Sequence, residues 1–201
     1  MVFQNPDNQI FCPTVREEVG FGPRNLGLPE GQIQHRVTES LHAVGLNGYE
    51  RRDPFTLTKG ERQRVAVASI LASRPAVLIL DEPTTGLDHG RQRGMMEMLV
   101  RLNQAGHTIV IITHSMWAAT DYAPRTVVMQ DGRILLDGPT RYVFTREDIL
   151  AGVGLRPPPV VQLSNRLGAG ALTVKELAAA LRESGAIPAS SRQMRPGSTA
   201  P

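Results

Sequence analysis

The stretch Val77–Asp88 reads V-L-I-L-D-E-P-T-T-G-L-D and constrains the fold more than any other part of the chain. Its four consecutive apolar residues lack the alternation of a half-buried strand, so they predict a strand covered on both faces of a sheet. The run ends in two adjacent carboxylates, Asp81 and Glu82. Charged side chains are rarely buried unless paired or metal-bound. In an open α/β sheet, moreover, ligands sit at the carboxyl ends of the strands. A solvated acidic pair in a loop would explain Asp81 and Glu82 in isolation. It leaves Pro83-Thr84-Thr85-Gly86-Leu87-Asp88 unexplained.

The flanking sequence supplies partners for such a strand. Gly60–Ser73 reads as a helix halted by Arg74-Pro75. A helix from about His89 to Gln104 ends at Gly106, Thr108–Thr113 forms a second buried strand, and a helix from Met116 leads to a third strand at Thr126–Gln130. Strand alternating with helix in this way is the pattern of right-handed parallel crossovers. Asp131-Gly132 then turns the chain into a hairpin with Arg133–Leu136. Upstream, Thr14 with Glu17 forms a capping box that opens a short helix at Val15. A second helix starts at Pro29-Glu30 and carries Ile33, Val37, Leu41 and Val44 on one face. These two helices form a separate layer.

Composition narrows the function classes. The 201 residues allow one domain of ordinary size, or one domain with an appendage, and the formal net charge is only +3. Arginines mostly alternate with acids, as in Arg16-Glu17-Glu18, which is the pattern of a solvated surface and not a nucleic-acid footprint. The single cysteine, Cys12, permits no internal disulfide and fits a reducing compartment. No apolar run approaches the roughly 20 residues needed to cross a bilayer, so membrane association would require a partner.

Five motifs in order resemble those of an ABC-type ATPase. Gln4 resembles the Q-loop glutamine, and Leu57-Thr58-Lys59-Gly60-Glu61 resembles the signature motif. Val77–Asp81 resembles Walker B with Glu82 in the position of the catalytic glutamate; Gly86-Leu87-Asp88 resembles the D-loop, and His114 the switch histidine. The resemblance covers about residues 1–140 and implies an α/β fold with a P-loop NTPase-like parallel sheet and a helical subdomain. Within the family, Val2–Phe11, Phe21-Gly22-Pro23, Thr113–Met116 and Asp137–Thr140 are most similar to the energy-coupling-factor importers of vitamins, cobalt and nickel.

The resemblance implies ATP and Mg²⁺ as cofactors. Asp81 would hold the metal together with Gln4, Glu82 would align and deprotonate the attacking water, and His114 would bind the γ-phosphate. Thr58, Lys59, Gly60, Glu61 and Asp88 would face the nucleotide of a second ATPase subunit, identical or related. The amino terminus of the 60–73 helix offers free N–H groups for phosphate. Thr58 and Asp88 also have a plainer role as helix N-caps. Thr58, Lys59 and Glu61 depart from the usual Leu-Ser-Gly-Gly-Gln. The further implied partners are a transmembrane coupling protein and a substrate-binding membrane subunit, at the cytoplasmic face of the membrane, with no nucleic acid. The alternatives are a non-transport ABC ATPase of DNA repair or translation, and a non-catalytic half-site that activates another subunit.

No G-x-x-x-x-G-K-[ST] loop occurs in the sequence, whose only lysines are Lys59 and Lys175. That loop normally grips the phosphates through its backbone amides and lysine. The expectation is therefore a fold without its first strands and P-loop, a reading frame entered partway, an apolar sheet face left open, and a chain that does not turn over ATP alone. The expected division is a partial ATPase domain over 1–144, with a helical subdomain at about 14–74 and a sheet core at about 75–138. A carboxy-terminal helical extension at 145–185 and a disordered tail at 186–201 complete it. The extension includes Val160–Leu167 and an amphipathic helix over Val174–Arg182, opened by Thr173 and Glu176.

Overall fold

A computed structural model describes residues 1–186, which form two compact units, Met1–His114 and a second beginning at Ser115. The expected tail beyond residue 186 lies outside the described residues.

In the first unit, three helices pack on one another: α1 (Val15–Asn25), α2 (Glu30–Ala43) and α3 (Lys59–Ala72). Their sequence sets their ends. The Thr14 side chain accepts from Glu17 N at the start of α1. Gly45, at φ +73°, lies just beyond α2, where a left-handed residue ends a helix without steric penalty. Ile33, Val37 and Leu41 are buried from α2, and Val65, Ala66, Val67 and Ala68 from α3. At Gly22 a Cβ would collide with the Ser73 hydroxyl, so glycine lets α1 approach the end of α3.

Strands β1 (Val77–Asp81) and β2 (Thr108–Ile112) pair in parallel, from Val77 opposite Thr108 to Asp81 opposite Ile112. The crossover between them is α4 (His89–Gln104), which packs on β2 and buries Met95, Met96, Met98, Leu99 and Leu102. Val2 adds a parallel bridge on the other edge of β1: its N–H donates to Ile79 O at 2.7 Å and its carbonyl accepts from Asp81 N at 2.9 Å.

The expectation that the Val77–Leu80 run is covered on both faces is corrected. Leu78 and Leu80 are fully buried, but Val77 on the opposite face is 43% exposed. Its neighbours on that face, Val110 and Ile112 of β2, are 45% and 50% exposed. An open apolar face was the other expectation, and this is where it lies.

The second unit holds α5 (Met116–Tyr122), β3 (Arg125–Gln130) and β4 (Arg133–Pro139), then α6 (Thr140–Thr145), α7 (Glu147–Gly152), α8 (Pro159–Arg166) and α9 (Val174–Glu183). The sequence placed β3 third in the parallel sheet. Instead, among the described residues, β3 pairs antiparallel with β4 alone, because the tight Asp131-Gly132 turn, both residues at positive φ, returns the chain at once along its own edge. A register shift follows Val128, and Arg125 grips Asp137 with two hydrogen bonds of 2.8 and 2.7 Å. Val128, Leu136, Val143, Phe144, Leu150, Val161 and Leu172 form the core.

Candidate nucleotide site

Parallel pairing delivers the ends of β1 and β2 to the same edge of the sheet, and the site is built there. Glu82 follows Asp81 directly, and its backbone N–H still donates to Ile112 O at 2.9 Å, continuing the ladder by one residue. Its φ is +44°, a left-handed conformation that is uncommon for a non-glycine residue. The strand breaks at that point.

The Glu82 carboxylate is enclosed by donors from its own loop and from the residues just beyond β2. Oε1 accepts from the backbone N–H of His114 at 2.7 Å and lies 2.6 Å from His114 Nδ1. Oε2 accepts from the hydroxyls of Thr85 and Thr113, each at 3.2 Å. The side chain of Glu82 is 13% exposed and that of His114 is 78% exposed, so a shielded carboxylate is joined to an imidazole facing solvent. Burial pushes the Glu82 carboxyl up, but the His114 N–H, the imidazole and the Thr85 hydroxyl together hold it below the ordinary glutamate value. The two threonines escaped sequence reasoning. Thr85 lies three residues beyond Glu82 and Thr113 immediately before His114, which was the available signal.

Asp81 is half-buried at the strand exit, tied through its N–H to Val2. Gln4 is exposed two residues beyond Val2, so it leaves the sheet at the same end as Asp81. Among the described residues no group of three or more His, Cys, Asp or Glu could hold a metal unaided. Mg²⁺ does not ask for one, since it commonly takes one or two carboxylates and completes its shell with phosphate oxygens and water. Asp81, with Gln4 leaving the sheet at the same end, fits that donor set.

The residues of the Leu57–Glu61 motif form a second group. Helix α3 starts at Lys59, one residue before the sequence suggested, and Thr58 is its N-cap. Thr58 and Glu61 close a full capping box: Glu61 Oε2 accepts from Thr58 N at 2.8 Å and from Thr58 Oγ1 at 2.7 Å. Glu61 Oε1 accepts from the Tyr49 hydroxyl at 2.8 Å. The Thr58 hydroxyl, then its N–H, then Tyr49 hold the Glu61 carboxyl below its usual range. Sequence reasoning took Thr58 as an N-cap but missed Glu61 as the other half of the box.

Thr58 is exposed, whereas Gly60 is buried under Leu87 and Arg91. Lys59 lies across Gly86, which has φ +76° and where a Cβ would strike the lysine Nζ. Asp88 caps α4, accepting from Arg91 N at 3.0 Å, and that N–H is the main reason its carboxyl is lowered. Lys59, Gly60, Gly86 and Leu87 are thus neighbours. No hydrogen bond or ion pair among the described residues joins Thr58–Glu61 to Glu82 or His114.

The ABC transporter family profile matches residues 1–85. A protein named provisionally as an ABC transporter ATP-binding protein, from Caldanaerobacter subterraneus subsp. tengcongensis, is 55% identical over 175 residues, covering 87% of this chain and 31% of the relative. Residues 1–85 belong to the ABC transporter domain family.

Another family member, the energy-coupling factor transporter ATP-binding protein EcfA of Methanothermobacter thermautotrophicus, is 45% identical over 167 residues, covering 83% of this chain and 54% of the relative. Among solved ABC structures, cbiO1 of Clostridium perfringens, part of the transporter complex cbiONQ, superposes with a TM-score of 0.68. It is 39% identical and covers 81% of this chain and 65% of that one. The chain thus spans from about a third to just over half of these two ABC relatives. No helix among the described residues is long and apolar enough to cross a membrane.

Proposed function

We propose that the chain is the ATP-binding, ATP-hydrolysing component of an importer of the energy-coupling-factor type, held peripherally at the cytoplasmic face of the cell membrane. The 2.6 Å contact between Glu82 and His114 carries this reading, because it unites the two groups that must meet at one water and one phosphate. Glu82 orients the attacking water and receives its proton. His114, exposed and tethered to Glu82, presents its imidazole to the terminal phosphate. Asp81 and Gln4 would hold Mg²⁺, which when bound with ATP supplies charge neutralisation at the phosphate oxygens.

Thr58, Lys59 and Asp88 form the surface offered to the nucleotide of a second ATPase subunit, with buried Gly60 and the capping-box Glu61 shaping it from beneath. The grouping of Lys59 with Gly86 and of Gly60 with Leu87 supports a single docking patch. The two ATPases work beneath a transmembrane coupling protein and a substrate-binding membrane subunit, without nucleic acid. A helical subdomain over about 14–74, a sheet core over about 75–138 and a pairing extension over 145–185 would divide the labour.

With Lys59 as the only lysine before residue 175, this chain by itself does not grip triphosphate and does not turn it over. The test is expression of the tagged chain in its native host, followed by isolation of its complexes and assay of ATPase activity. Recovery with membrane subunits and a second ATPase, with turnover only in the assembled state, is expected. Recovery with ribosomes or DNA, or micromolar ATP affinity and steady turnover by the isolated chain, overturns the reading.

A further inference from the structure

The segment that carries Gln4 is fastened to α3 on both sides of that residue. Before it, the Phe3 carbonyl accepts from the Gln63 side chain at 3.4 Å, and Phe3 N donates to Gln9 Oε1 at 3.0 Å. After it, Asn5 caps a short 3-10 turn over Pro6–Asn8, and Gln9 Nε2 donates to Ala66 O at 3.3 Å. Gln63 is only 2% exposed, and a buried amide that lost these partners would carry the cost of unmet hydrogen bonds.

Arg62 adds a charged link. Its Nη1 donates to the carbonyl of Leu57, the residue before the Thr58 cap, and its Nε stands 2.7 Å from Asp7 Oδ1. That N–H is out of line for a hydrogen bond, so the Asp7 contact is an ion pair only. Exposure separates it from the other arginine pairs. The Arg62 side chain is 19% exposed, whereas every other paired arginine among the described residues is at least 48% exposed. Asp7 is itself 49% exposed, so the pair is shielded on the arginine side only, and its screening is reduced there and not at the carboxylate. The planar guanidinium can hold two partners in a fixed relation, which a lysine cannot.

We propose that Arg62 is a positioning residue that braces the Gln4 segment against α3, so that residues 3–9 and the Leu57–Thr58 entrance to α3 move as one piece. Gln63 and Gln9 complete the brace. A displacement at Gln4 is carried through Asp7 and Arg62 to the Leu57 carbonyl, next to the residue that caps the helix. This deepens the proposed function, because it rests on Gln4 and Thr58 serving a nucleotide. The brace itself needs none.

Amide hydrogen exchange on the folded 201-residue chain tests it. Arg62→Ala should accelerate exchange at Phe3, Gln9 and Ile10 by about tenfold or more while Leu99 and Leu102 in α4 stay within about twofold, since local opening is separable from global unfolding. Asp7→Arg and Arg62→Asp should each produce the same local acceleration, and the double exchange should recover most of the protection. Unchanged exchange at residues 3, 9 and 10, or no recovery in the double variant with α4 still protected, overturns the brace. If Arg62→Ala loosens α4 as well, Arg62→Lys decides. Acceleration confined to the three amides supports the proposal, and none refutes it. Because no nucleotide is added, a negative result sinks the brace and leaves the ATPase reading to its own test.

Discussion

The imidazole of His114 and the carboxylate of Glu82 stand 2.6 Å apart although 32 residues separate them, and the backbone N–H of His114 donates to the same oxygen. One residue therefore grips Glu82 through both backbone and side chain. Glu82→Gln keeps the shape but removes the base, so turnover of the assembled complex should fall by about 10²- to 10⁴-fold. Nucleotide-dependent assembly should survive. Steady-state ATPase assays and size-exclusion chromatography of the variant complex check this.

The lowered pKa of Glu82 has a sign in acid. A carboxyl whose folded value lies below its unfolded value stabilises the fold above the unfolded value, and this contribution drains away as pH falls through the folded one. The difference in urea midpoint between the wild-type chain and Glu82→Gln should therefore be largest near neutrality. It should shrink below about pH 4.3, the ordinary glutamate range. Denaturation at pH 7 and at pH 4 measures it, and a gap that widens in acid contradicts the assignment.

Thr58→Ala removes both the side-chain acceptor for Glu61 N and the hydroxyl donor to Glu61 Oε2. It should cost about 1 kcal/mol of stability, and Thr58→Ser should restore most of it. Combining Thr58→Ala with Glu61→Ala should cost less than the sum, because the two residues serve one box. Urea titrations of the three variants check the additivity.

Gly86→Ala forces a Cβ onto a residue at φ +76° and into Lys59. The lysine end can swing away, but the backbone cannot, so roughly 1 kcal/mol should be lost from conformation alone. The same change should weaken association with a nucleotide-loaded ATPase, because Lys59 is displaced. Lys59→Met in the Gly86 background separates the two effects: it should weaken association with little loss of stability.

The open face of β1 and β2, with Val77, Val110 and Ile112 exposed, predicts self-association at high concentration. Ile112→Thr keeps a β-branched residue and makes a half-exposed position polar. Light scattering at increasing concentration should show less aggregation than wild type, with the thermal midpoint nearly unchanged. Phe144→Ala in the second unit should do the opposite, costing about 3–5 kcal/mol at a fully packed position.

Element order was legible wherever periodicity and caps spoke together. His89–Gln104 is framed by Asp88 and Gly106, and the structure reproduces it residue for residue. Three things were not legible. Covering of both faces of β1 was inferred from its uniform apolar run, but a run reports what a strand tolerates and not which neighbours pack on it. The place of β3 was inferred from alternation, whereas a two-residue turn gave it a partner closer in sequence. Besides the local Thr85, the donors around Glu82 come from Thr113 and His114, which reach it only because two strands end level. Such contacts depend on register, and register is a property of the folded pair. That Asp81, Glu82 and His114 share one sheet edge followed from the family resemblance together with the strand ends; the hydrogen bonds that join them did not.

Strands β1 and β2 act as two rulers laid side by side and cut to the same length, five residues each, from Val77 and Thr108. An insertion of one residue in either would turn its later side chains to the opposite face and leave carboxylate and imidazole out of step. Loops on this scaffold can be lengthened with little penalty. These two strands cannot.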